Sequence, residues 1–541
     1  MMDFEWVAIG LEDVAWISLA FALGFLSRLV GLPPLVGYLA AGFLLNAQGI
    51  GNDALLQQLS NLGITLLLFT VGLKLNLRTL ARPQVWAVTG IHMSIIVGIF
   101  GLAIYGLALA GASLFSDLNL QKSLLIAFAL SFSSTVFVVK VLEERGEMTS
   151  LHGRIAVGIL LIQDLAAVAF LAISTTGGMP SPWALLLLLL IPLRPLLHQL
   201  LQRIGHGELL VLYGFLLALG GAEIFELVGM KGDLGALVLG VLIASHEKAE
   251  EIAKAMLSFK DLFLLGFFLS IGLSGQPSVE TFLIALMITP LVFLKSALFF
   301  AALTRFKLRA RTSLLATVNL TNYSEFGLIV AAIAVANGWI DNEWLIVISI
   351  ALSLSFVIAA GLNTVSHSLY TQHRPTWWRF QRDELIADDE LLDLGGARIA
   401  IIGMGGVGTG AYDTMRRRYG ETVVGVDIDP VTAENQRSMG RAVLCGDASD
   451  ADFWDRVQAS HRLELVMLTL PKINATIAVL DRLREASFTG YVAAIARFPD
   501  EVEELKRAGA ATVYNIYTEA GAGFASHLTN ELSAFSSGAS K

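Results

Sequence analysis

Three ionisable side chains stand inside long apolar runs of this sequence, where a charge is costly and therefore usually functional. Asp164 directly follows Gln163, Lys295 interrupts a run of Val, Phe and Leu, and Glu325 ends a polar stretch. Such a carboxylate can hold a proton or, when it is ionised, a monovalent cation, but it need not hold both. That mutual exclusion would couple a flow of protons to a flow of cations. An Asp164–Lys295 pair that only locks two helices together is the alternative interpretation, and the two roles can coexist.

Two polar clusters interrupt apolar runs and could supply the other ligands of a cation. One is Ser131–Thr135 and the other is Asn319–Glu325. Clusters of this kind are typical of membrane helices that unwind and leave backbone groups free to hold an ion. Hydroxyl and carbonyl oxygens can replace the water shell of Na⁺ or K⁺, although Ser and Thr also pack helices together without binding anything. The predicted transport site therefore comprises Asp164, Gln163, Ser133, Ser134, Thr135, Lys295, Asn319 and Glu325.

The elements that must position these residues are membrane helices. The chain is 55% hydrophobic and 15% charged, whereas a soluble domain is about 45–50% apolar and about 25% charged. A spanning helix needs about 20 apolar residues. We therefore predict an α-helical polytopic domain of thirteen spans, which begin near residues 11, 35, 59, 85, 122, 152, 183, 208, 232, 259, 279, 313 and 342. The acidic N-terminus lacks the positive region of a signal peptide, so the first run is expected to remain as a helix.

Lysine and arginine occur almost entirely in the odd-numbered loops between these spans. The even-numbered loops hold only Lys122 and Lys231. Because basic residues favour cytoplasmic loops, this alternation supports the count of thirteen. It predicts a multi-pass protein with its N-terminus outside and its C-terminus in the cytoplasm.

The two polar clusters lie in the fifth and the twelfth predicted spans, which are seven spans apart. An odd separation means that the two spans cross the membrane in opposite directions. We therefore predict two inverted six-helix repeats, spans 1–6 and 8–13, with span seven as a linker and two broken helices that cross. Gln163, and not a second acid, precedes Asp164. With one carboxylate at the centre, we expect exchange of one proton for one cation, which moves no net charge.

The C-terminal part of the sequence has the pattern of an α/β Rossmann-like domain. Ala397–Ile402 is a strand candidate, Gly403, Gly405 and Gly408 follow at once, and Asp427 ends the next strand. A glycine-rich turn between a strand and a helix, with an acid about 20 residues further on, is the dinucleotide-binding fingerprint. The predicted domains are a transmembrane domain (1–370), a cytoplasmic linker (371–396), a nucleotide-binding domain (397–520) and a tail (521–541).

Each part of this fingerprint has a mechanical purpose in binding a nucleotide. The glycines let the backbone approach a pyrophosphate at the positive N-terminus of a helix. Asp427 can accept ribose hydroxyls and would repel a 2′-phosphate, so NAD(H) or AMP is expected rather than NADP. Later strands end near Asp447 and Arg497, although Arg497 could equally be a surface charge. The predicted nucleotide site comprises Gly403, Gly405, Val407, Gly408, Asp427, Asp447, Ala448 and Arg497.

Composition also excludes several classes of function. The roughly 145 residues of the C-terminal region leave little room for a substrate domain, so we expect a sensor and not an enzyme. Cys445 is the only cysteine, which excludes a disulfide framework and a cysteine-based metal cluster; no tightly bound metal is expected. The formal net charge of −9 argues against a nucleic-acid partner.

These features together resemble the Kef-type potassium/proton antiporters of the cation:proton antiporter-2 family, over nearly the whole chain. Gln163–Asp164 matches the ion-site motif of that family. The C-terminal part looks like its RCK (TrkA-N) nucleotide-binding domain, which also regulates many potassium channels. The other motifs that carry the resemblance are Pro34–Gly42, Ser133–Thr135, Leu234–Ser245, Phe259–Asp261, Gly266–Gly272 and Glu325–Phe326.

The resemblance implies a homodimeric secondary transporter that exchanges K⁺ for H⁺ and drives K⁺ efflux. In the family, a core domain moves around the ion site, and nucleotides bound beneath the membrane regulate transport. Membrane lipid and an ancillary cytoplasmic subunit are further partners that it allows. It also implies that an acidic cytoplasmic loop restrains transport by contacting the nucleotide-binding domain. The matching residues here are His246, Glu247, Glu250 and Glu251, for which a solvated helix is the simpler interpretation.

Three other functions stay open at this stage. Na⁺ could replace K⁺ as the exchanged cation in the same fold. A nucleotide-gated K⁺ channel would need a selectivity filter of repeated carbonyls, and the sequence contains no segment that resembles Thr-Val-Gly-Tyr-Gly. A redox enzyme that uses NAD is disfavoured by the missing substrate domain.

Overall fold

A computed structural model describes residues 11–51, 54–74, 82–145, 147–148, 150–174, 183, 187, 189–386, 389, 396–449, 463–485, 488–525 and 528. These residues form two compact units. The first contains the residues up to Val139 together with Ile155–Phe306 and Ser313–Gln381. The second contains Lys140–Arg154, Lys307–Thr312 and the described residues from Arg382 onward. Two short segments of the helical half of the chain therefore belong to the second unit.

The helical half follows the apolar runs of the sequence. Prolines at the first helical position begin two of its helices, α2 and α4 in the order below, because a proline there has no amide hydrogen to leave unsatisfied. The helices α1 to α4 are Leu11–Leu29, Pro34–Ala47, Ala54–Lys74 and Pro83–Leu109. The helices α5 to α10 are Leu120–Ser131, Thr135–Arg145, Leu151–Ile173, Leu190–Ile204, Glu208–Leu227 and Gly232–Ile243. The helices α11 to α17 are Ala249–Leu273, Val279–Ile288, Leu291–Arg305, Ala310–Asn319, Glu325–Ala336, Asn342–Gln372 and Arg374–Trp378.

Both predicted helix breaks are present. The first separates α5 from α6 at Phe132–Ser134, and the second separates α14 from α15 at Leu320–Ser324. Ser324 begins α15 as its N-cap, since its hydroxyl accepts a hydrogen bond from the amide of Phe326. The polar clusters therefore break two membrane helices, as the sequence predicts.

The number of spans is only partly determined by the helices. A helix lies at or near each of the thirteen predicted positions when the pairs α5–α6, α12–α13 and α14–α15 each count as one. Among the described residues, seven helical segments are long and apolar enough to cross a membrane, or eight if the bent helix α11 is one span. The predicted start of span seven lies near residues outside the described set, and α8 begins at Leu190. The count of thirteen stays a prediction.

Glycines bring several of these helices into backbone contact. A Cβ atom placed on Gly235 in α10 would lie 1.9 Å from the carbonyl oxygen of Gly221 in α9. A Cβ atom on Gly272 in α11 would lie 2.7 Å from the Cα atom of Gly42 in α2. Small residues permit this approach in membrane proteins, where close packing replaces the hydrophobic effect between helices.

The second unit contains a parallel six-stranded sheet with the order β3-β2-β1-β4-β5-β6. The strands are Ile399–Ile402, Val423–Asp427, Val443–Cys445, Leu465–Leu468, Tyr491–Ala496 and Thr512–Asn515. The helices that follow the strands are α18 at Gly406–Tyr419, α19 at Pro430–Ser438, α20 at Ile473–Glu485 and α21 at Pro499–Ala508. This is the doubly wound order, in which ligands bind beyond the carboxyl ends of the strands where the order reverses, here between β1 and β4.

The structure adds two features to the prediction for this region. The sixth strand was not predicted, because Thr512–Asn515 is an exposed edge strand without a buried apolar run. In the segment 371–396, which the sequence predicts as a linker, α16 continues to Gln372 and α17 occupies Arg374–Trp378. The described part of that segment also includes a buried acid, Asp389.

Candidate functional site

The two unwound segments contact each other directly. The hydroxyl of Ser133 donates to the carbonyl oxygen of Leu320 at 3.0 Å, and the amide of Ser134 donates to the side-chain oxygen of Asn322 at 2.7 Å. Ser133, Ser134 and Asn322 are all buried. Backbone groups that the helix breaks release are thus satisfied across the crossing, as a dry interior requires.

Gln163 in α7 stabilises the first break from the side. Its side-chain oxygen accepts a hydrogen bond from the amide of Ser133 at 2.8 Å, and its side-chain nitrogen donates to the carbonyl oxygen of Ser131 at 3.3 Å. The side chain is fully buried. An amide has both a donor and an acceptor, so Gln163 can satisfy both backbone groups at once.

Asp164 lies beside the same break. The hydroxyl of Thr135, the first residue of α6, donates to the carboxylate of Asp164 at 3.1 Å to one oxygen and 3.4 Å to the other. Only 1% of Asp164 is exposed. The structure therefore brings together Asp164, Gln163 and the predicted cluster Ser133–Thr135.

Lys295 in α13 connects the two breaks. Its ammonium group donates to the carbonyl oxygen of Phe132 in the first break and to that of Asn322 in the second, the latter at 2.8 Å. It also lies 5.5 Å from the centre of the Tyr323 ring, a cation–π distance. Lys295 thus binds backbone carbonyls of the crossing, while Thr135 binds Asp164. These contacts differ from the direct Asp164–Lys295 ion pair that the sequence offered as an alternative.

Glu325 and Asn319 border the second break. The carbonyl oxygen of Asn319, at the end of α14, accepts a hydrogen bond from the side chain of Asn322 at 2.9 Å. Glu325 is 1% exposed at the start of α15, and neither of its carboxylate oxygens has a hydrogen-bond partner in the part of the chain that the structure describes. Burial without a paired cation favours the neutral, protonated form of such an acid. Asn322, which bonds to both breaks, was missing from the predicted set, although it lies in the polar cluster.

The acidic loop at His246–Glu251 interacts with helix α8 and with itself. The ring of His246 packs edge-on against His198 with 5.2 Å between the ring centres, and Glu251 accepts from His206 at 2.8 Å. Glu250 pairs with Lys254 on its own helix at 2.7 Å, and Glu247 is exposed. Burial, followed by the charges of His198 and Lys248, lowers the pKa of His246 below its ordinary value of 6.5.

The glycine-rich turn after β1 has the geometry that a phosphate site requires. Gly403 has a φ of +93°, and a Cβ atom on Gly408 would lie 1.8 Å from the carbonyl oxygen of Gly403. These two glycines make the turn possible. A Cβ atom on Gly405 or Gly406 would meet nothing within 4 Å, so the backbone at the N-terminus of α18 is open to a ligand.

A cavity of about 490 Å³ lies beyond the carboxyl ends of the strands, within the usual range for small-molecule sites. Its lining includes the predicted residues Gly403, Gly405, Val407, Asp427, Asp447, Ala448 and Arg497, whereas Gly408 lies outside it. Asp427 is held in place because its two oxygens accept from the amides of Met404 at 2.7 Å and Asp429 at 2.8 Å. These residues fit a nucleotide, whose phosphates suit the open turn and whose ribose suits the fixed acid.

The wall of this cavity includes residues that sequence reasoning did not find. Lys472 follows β4, and Arg145, Glu147, Met148 and Ser150 come from the loop between α6 and α7. These loop residues belong to the second compact unit. No motif marks them, because their position depends on a contact with residues more than 250 positions away in the chain.

Two crossed, broken helices beside a buried carboxylate are typical of secondary transporters of the membrane, and a Rossmann-type domain follows them in this chain. Comparison with known families identifies it further. Residues 17–365 match the family described as "Sodium/hydrogen exchanger, transmembrane", and residues 399–516 match the TrkA-N domain. The chain therefore belongs to the sodium/hydrogen exchanger family and is a multi-pass cation:proton antiporter with a C-terminal TrkA-N domain.

Individual relatives cover most of the chain at modest identity. The glutathione-regulated potassium-efflux system protein KefC of Escherichia coli K12 is 27% identical over 510 residues, which are 89% of this chain and 78% of that protein. KefC of Escherichia fergusonii has the same identity and coverage. Among solved structures, the sodium proton antiporter MjNhaP1 of Methanocaldococcus jannaschii is 16% identical, with a TM-score of 0.47, and covers 67% of this chain and 99% of that one.

Proposed function

We propose that this antiporter exchanges K⁺ for H⁺ and drives K⁺ efflux, with Asp164 as the group that binds the two ions in turn. The observation that carries the proposal is the position of Asp164. It is buried beside the first helix break and bound by the hydroxyl of Thr135. Hydroxyls and released carbonyls of the crossing lie on neighbouring residues and can replace the water shell of a cation.

The choice of K⁺ rests on the relatives and not on the geometry of the site. Two relatives that align with 89% of this chain are named as potassium-efflux proteins. The oxygen ligands of the crossing would serve Na⁺ as well, so Na⁺/H⁺ exchange is the second candidate. A nucleotide-gated K⁺ channel is the third.

Electroneutral exchange is the stoichiometry that we propose. Gln163 occupies the position before Asp164 and is committed to the backbone of the break through two hydrogen bonds. A single carboxylate at the centre exchanges one proton for one cation, which moves no net charge. Glu325 is proposed to border the ion path, and Lys295 and Asn319 to hold the crossing in place.

Regulation by a nucleotide is the remaining part of the proposal. The cavity at the carboxyl ends of the strands has the volume and the residues for NAD(H) or AMP. We propose residues 397–520 as the nucleotide-binding domain, residues 1–370 as the transport domain, and the acidic loop at His246–Glu251 as a restraint on transport. The resemblance to the Kef family supports a homodimer in the inner membrane, and the alternation of basic loops supports an N-terminus outside and a C-terminus in the cytoplasm.

Transport in proteoliposomes tests this function. Purified protein is reconstituted, a pH gradient is imposed, and proton flux is followed after addition of K⁺, Na⁺ or Rb⁺. We expect flux with K⁺, abolished flux for Asp164→Asn, and normal flux for the control Asp341→Asn, which changes an exposed acid at the start of α16.

Each alternative has its own outcome in this assay. Flux with Na⁺ alone would replace K⁺ by Na⁺ as the substrate. Cation flux that needs no proton gradient and is not coupled to protons would indicate a channel. A rate that changes with an imposed membrane potential would exclude electroneutral exchange, and wild-type exchange by Asp164→Asn would exclude the proposed mechanism. NADH or AMP that changes no rate would remove the regulatory part alone.

A further inference from the structure

The loop between α6 and α7 forms part of the wall of the nucleotide cavity. Arg145, Glu147, Met148 and Ser150 line the cavity together with the ends of the strands. Among the described residues that line it, three are basic: Arg145, Lys472 and Arg497. Arg145 is the only one of these three that the helical half of the chain supplies. The cavity is therefore built from two distant parts of the sequence.

A hydrogen bond joins one end of this loop to α20, and a charge at the other end acts on the N-cap of α19. At the end of α6, the carbonyl oxygen of Glu144 accepts a hydrogen bond from the side chain of Asn474, near the start of α20, at 3.2 Å. At the start of α7, the charge of Arg154 acts on Asp429. Burial acts to raise the pKa of Asp429, but hydrogen bonds from Thr432 and Val431, together with Arg154, lower it below its ordinary value. The hydrogen bond from Asn474 places the end of α6, and with it Arg145, next to the element that follows β4.

The loop also has a fixed internal structure. The hydroxyl of Ser150 donates to the carbonyl oxygen of Glu147 at 2.7 Å and accepts from the amide of Gly153 at 3.0 Å. His152 lies 3.1 Å from the carboxylate of Glu147. A Cβ atom on Gly153 would lie 2.3 Å from the carbonyl oxygen of Glu147, so the turn is tightly closed. These contacts order the described residues between Glu147 and Gly153, and Arg145 lines the same cavity as Glu147, Met148 and Ser150.

We propose that this loop is part of the nucleotide site and that Arg145 binds the phosphates of the nucleotide. The inference rests on the proposed nucleotide binding and adds a ligand from the transport domain. The planar guanidinium of arginine matches the oxygens of a phosphate and binds them with charge-assisted hydrogen bonds. An arginine at the last residue of a helix can also interact favourably with the helix dipole, which is the structural role that the experiment must separate.

Two helices connect Arg145 to the residues of the proposed ion site. Helix α6 runs from Thr135, which donates to Asp164, to Arg145, a length of about 15 Å at 1.5 Å per residue. Helix α7 starts at the other end of the loop and carries Asp164. A phosphate bound by Arg145 is thereby attached to both helices of the ion site. Because such linkage is reciprocal, a change in the position of these helices changes the affinity for the nucleotide.

Binding of NADH to the full chain in detergent tests the proposal, with NADH fluorescence as the readout. We compare wild type, Arg145→Ala, Arg145→Lys and Lys140→Ala, the last being a cation on the same helix that does not line the cavity. Loss of a charge-assisted contact is expected to weaken binding by about tenfold or more. Arg145→Lys should recover part of the affinity, and Lys140→Ala should bind as wild type does.

Competition with AMP and adenosine separates a phosphate contact from a structural role. If Arg145 binds phosphate, Arg145→Ala weakens AMP relative to adenosine. An equal loss for both, or no loss for NADH, overturns the inference. Wild-type protein that binds no NADH or AMP at all would instead contradict the proposed nucleotide regulation, so the two failures are distinguishable.

Modification of a single cysteine provides a second, independent readout. In a Cys445→Ser background, Met148→Cys is treated with a maleimide in the presence and absence of NADH. The proposal expects the nucleotide to slow this reaction several-fold, while Glu143→Cys, an exposed position on α6 outside the cavity lining, reacts at the same rate with and without it. Equal rates for Met148→Cys with and without saturating NADH would show that the loop is not covered by the ligand.

Discussion

Lys295 bonds to both unwound segments from a third helix, and its removal should weaken the crossing. In Lys295→Met, the carbonyl oxygens of Phe132 and Asn322 lose the donor that they share. A buried acceptor left without a donor costs about 1–3 kcal/mol. We therefore expect a lower melting temperature of the detergent-solubilised protein, measured by tryptophan fluorescence, and a slower exchange in proteoliposomes.

The control for this variant is Lys140→Met, which removes a partly exposed lysine paired with Glu144 on α6. Exposed ion pairs contribute little to stability, so its melting temperature should stay close to that of wild type. Lys295→Met with the same melting temperature and exchange rate as the control would contradict a structural role for the ammonium group.

At the residue scale, the sequence singles out candidate side chains but does not show what they touch. Asp164, Lys295 and Glu325 stand out because a charge in an apolar run is rare. Their partners depend on the path of the broken helices in space. The carbonyl of Phe132, which binds Lys295, has no signature in the sequence, because every residue has a backbone carbonyl. For the same reason, the bonds of Gln163 to the backbone of the break could not be predicted.

At the scale of the element, helix α15 can approach α5 closely because Gly327 has no side chain. A Cβ atom on Gly327 would lie 2.2 Å from the carbonyl oxygen of Ala129, and α5 ends at the first break. Gly327→Ala should push α15 away from α5 and disturb the crossing. We expect a clear loss of exchange, measured in proteoliposomes, and a lower melting temperature, because rigid backbone cannot yield as a side chain can.

Gly361→Ala in α16 is the matched control, since a Cβ atom there would meet nothing within 4 Å. Alanine is the better helix former by about 0.5–1 kcal/mol, so this variant should be at least as stable as wild type. Exchange by Gly327→Ala that matches exchange by Gly361→Ala would show that the close approach is not needed for transport.

The acidic loop after α10 should respond to pH through His246. Its pKa is lowered from 6.5, first by burial and then by His198 and Lys248, so the folded loop favours the neutral ring. The stabilising contribution is therefore complete above about pH 6.5 and is lost as the pH falls towards the lowered pKa. Hydrogen exchange of the loop amides, corrected for the intrinsic effect of pH, should therefore become faster as the pH is lowered from 7.5 to 5.5.

His246→Gln tests whether this histidine is the cause. Glutamine does not titrate in this range, so the acceleration should shrink in the variant, while the pair of His206 with Glu251 stays available. The same acceleration in His246→Gln and in wild type would assign the effect to another group.

Element boundaries in the Rossmann-type domain were predictable because several signals agree there. Buried strands, glycines that only a tight turn requires, and an acid at the end of β2 all indicate one fold, and β1 and β2 end at the predicted residues, Ile402 and Asp427. The exposed β6 lacks an apolar run and was missed. In the helical half, polar clusters predicted both helix breaks, yet the number of spans depends on short helices such as α2 and α10, which length and hydropathy alone do not classify.

At the scale of the whole molecule, the second compact unit contains two segments that lead into the broken helices. Lys140–Arg154 joins α6 to α7, and Lys307–Thr312 leads into α14. In the latter segment, Arg311 donates to the carbonyl oxygen of Ser449 at 2.8 Å, next to Asp447 and Ala448 of the cavity lining. One sequence could not predict this arrangement, because contacts between segments so far apart leave no local pattern.

A buried ion pair between Arg309 and Asp389 anchors the second segment, Lys307–Thr312. Asp389 is 1% exposed and accepts from the amide of Arg309 at 2.6 Å, from its guanidinium at 2.8 Å and from the hydroxyl of Thr312 at 2.7 Å. Asp389→Ala leaves Arg309 buried without this partner, a change that costs about 3–5 kcal/mol in comparable pairs. We expect a lower melting temperature and faster proteolysis of the segment that leads into α14.

Glu384→Ala is the matched control, because Glu384 also pairs with this segment, at Lys307, but its side chain is 78% exposed. Solvent screens such a pair, so its loss should change neither the melting temperature nor the proteolysis. If the segment transmits the state of the nucleotide cavity to α14, the response of transport to NADH or AMP should also be lost in Asp389→Ala and kept in Glu384→Ala. Equal melting temperatures and equal nucleotide responses in the two variants would show that the buried pair neither holds the segment nor couples the cavity to the ion site.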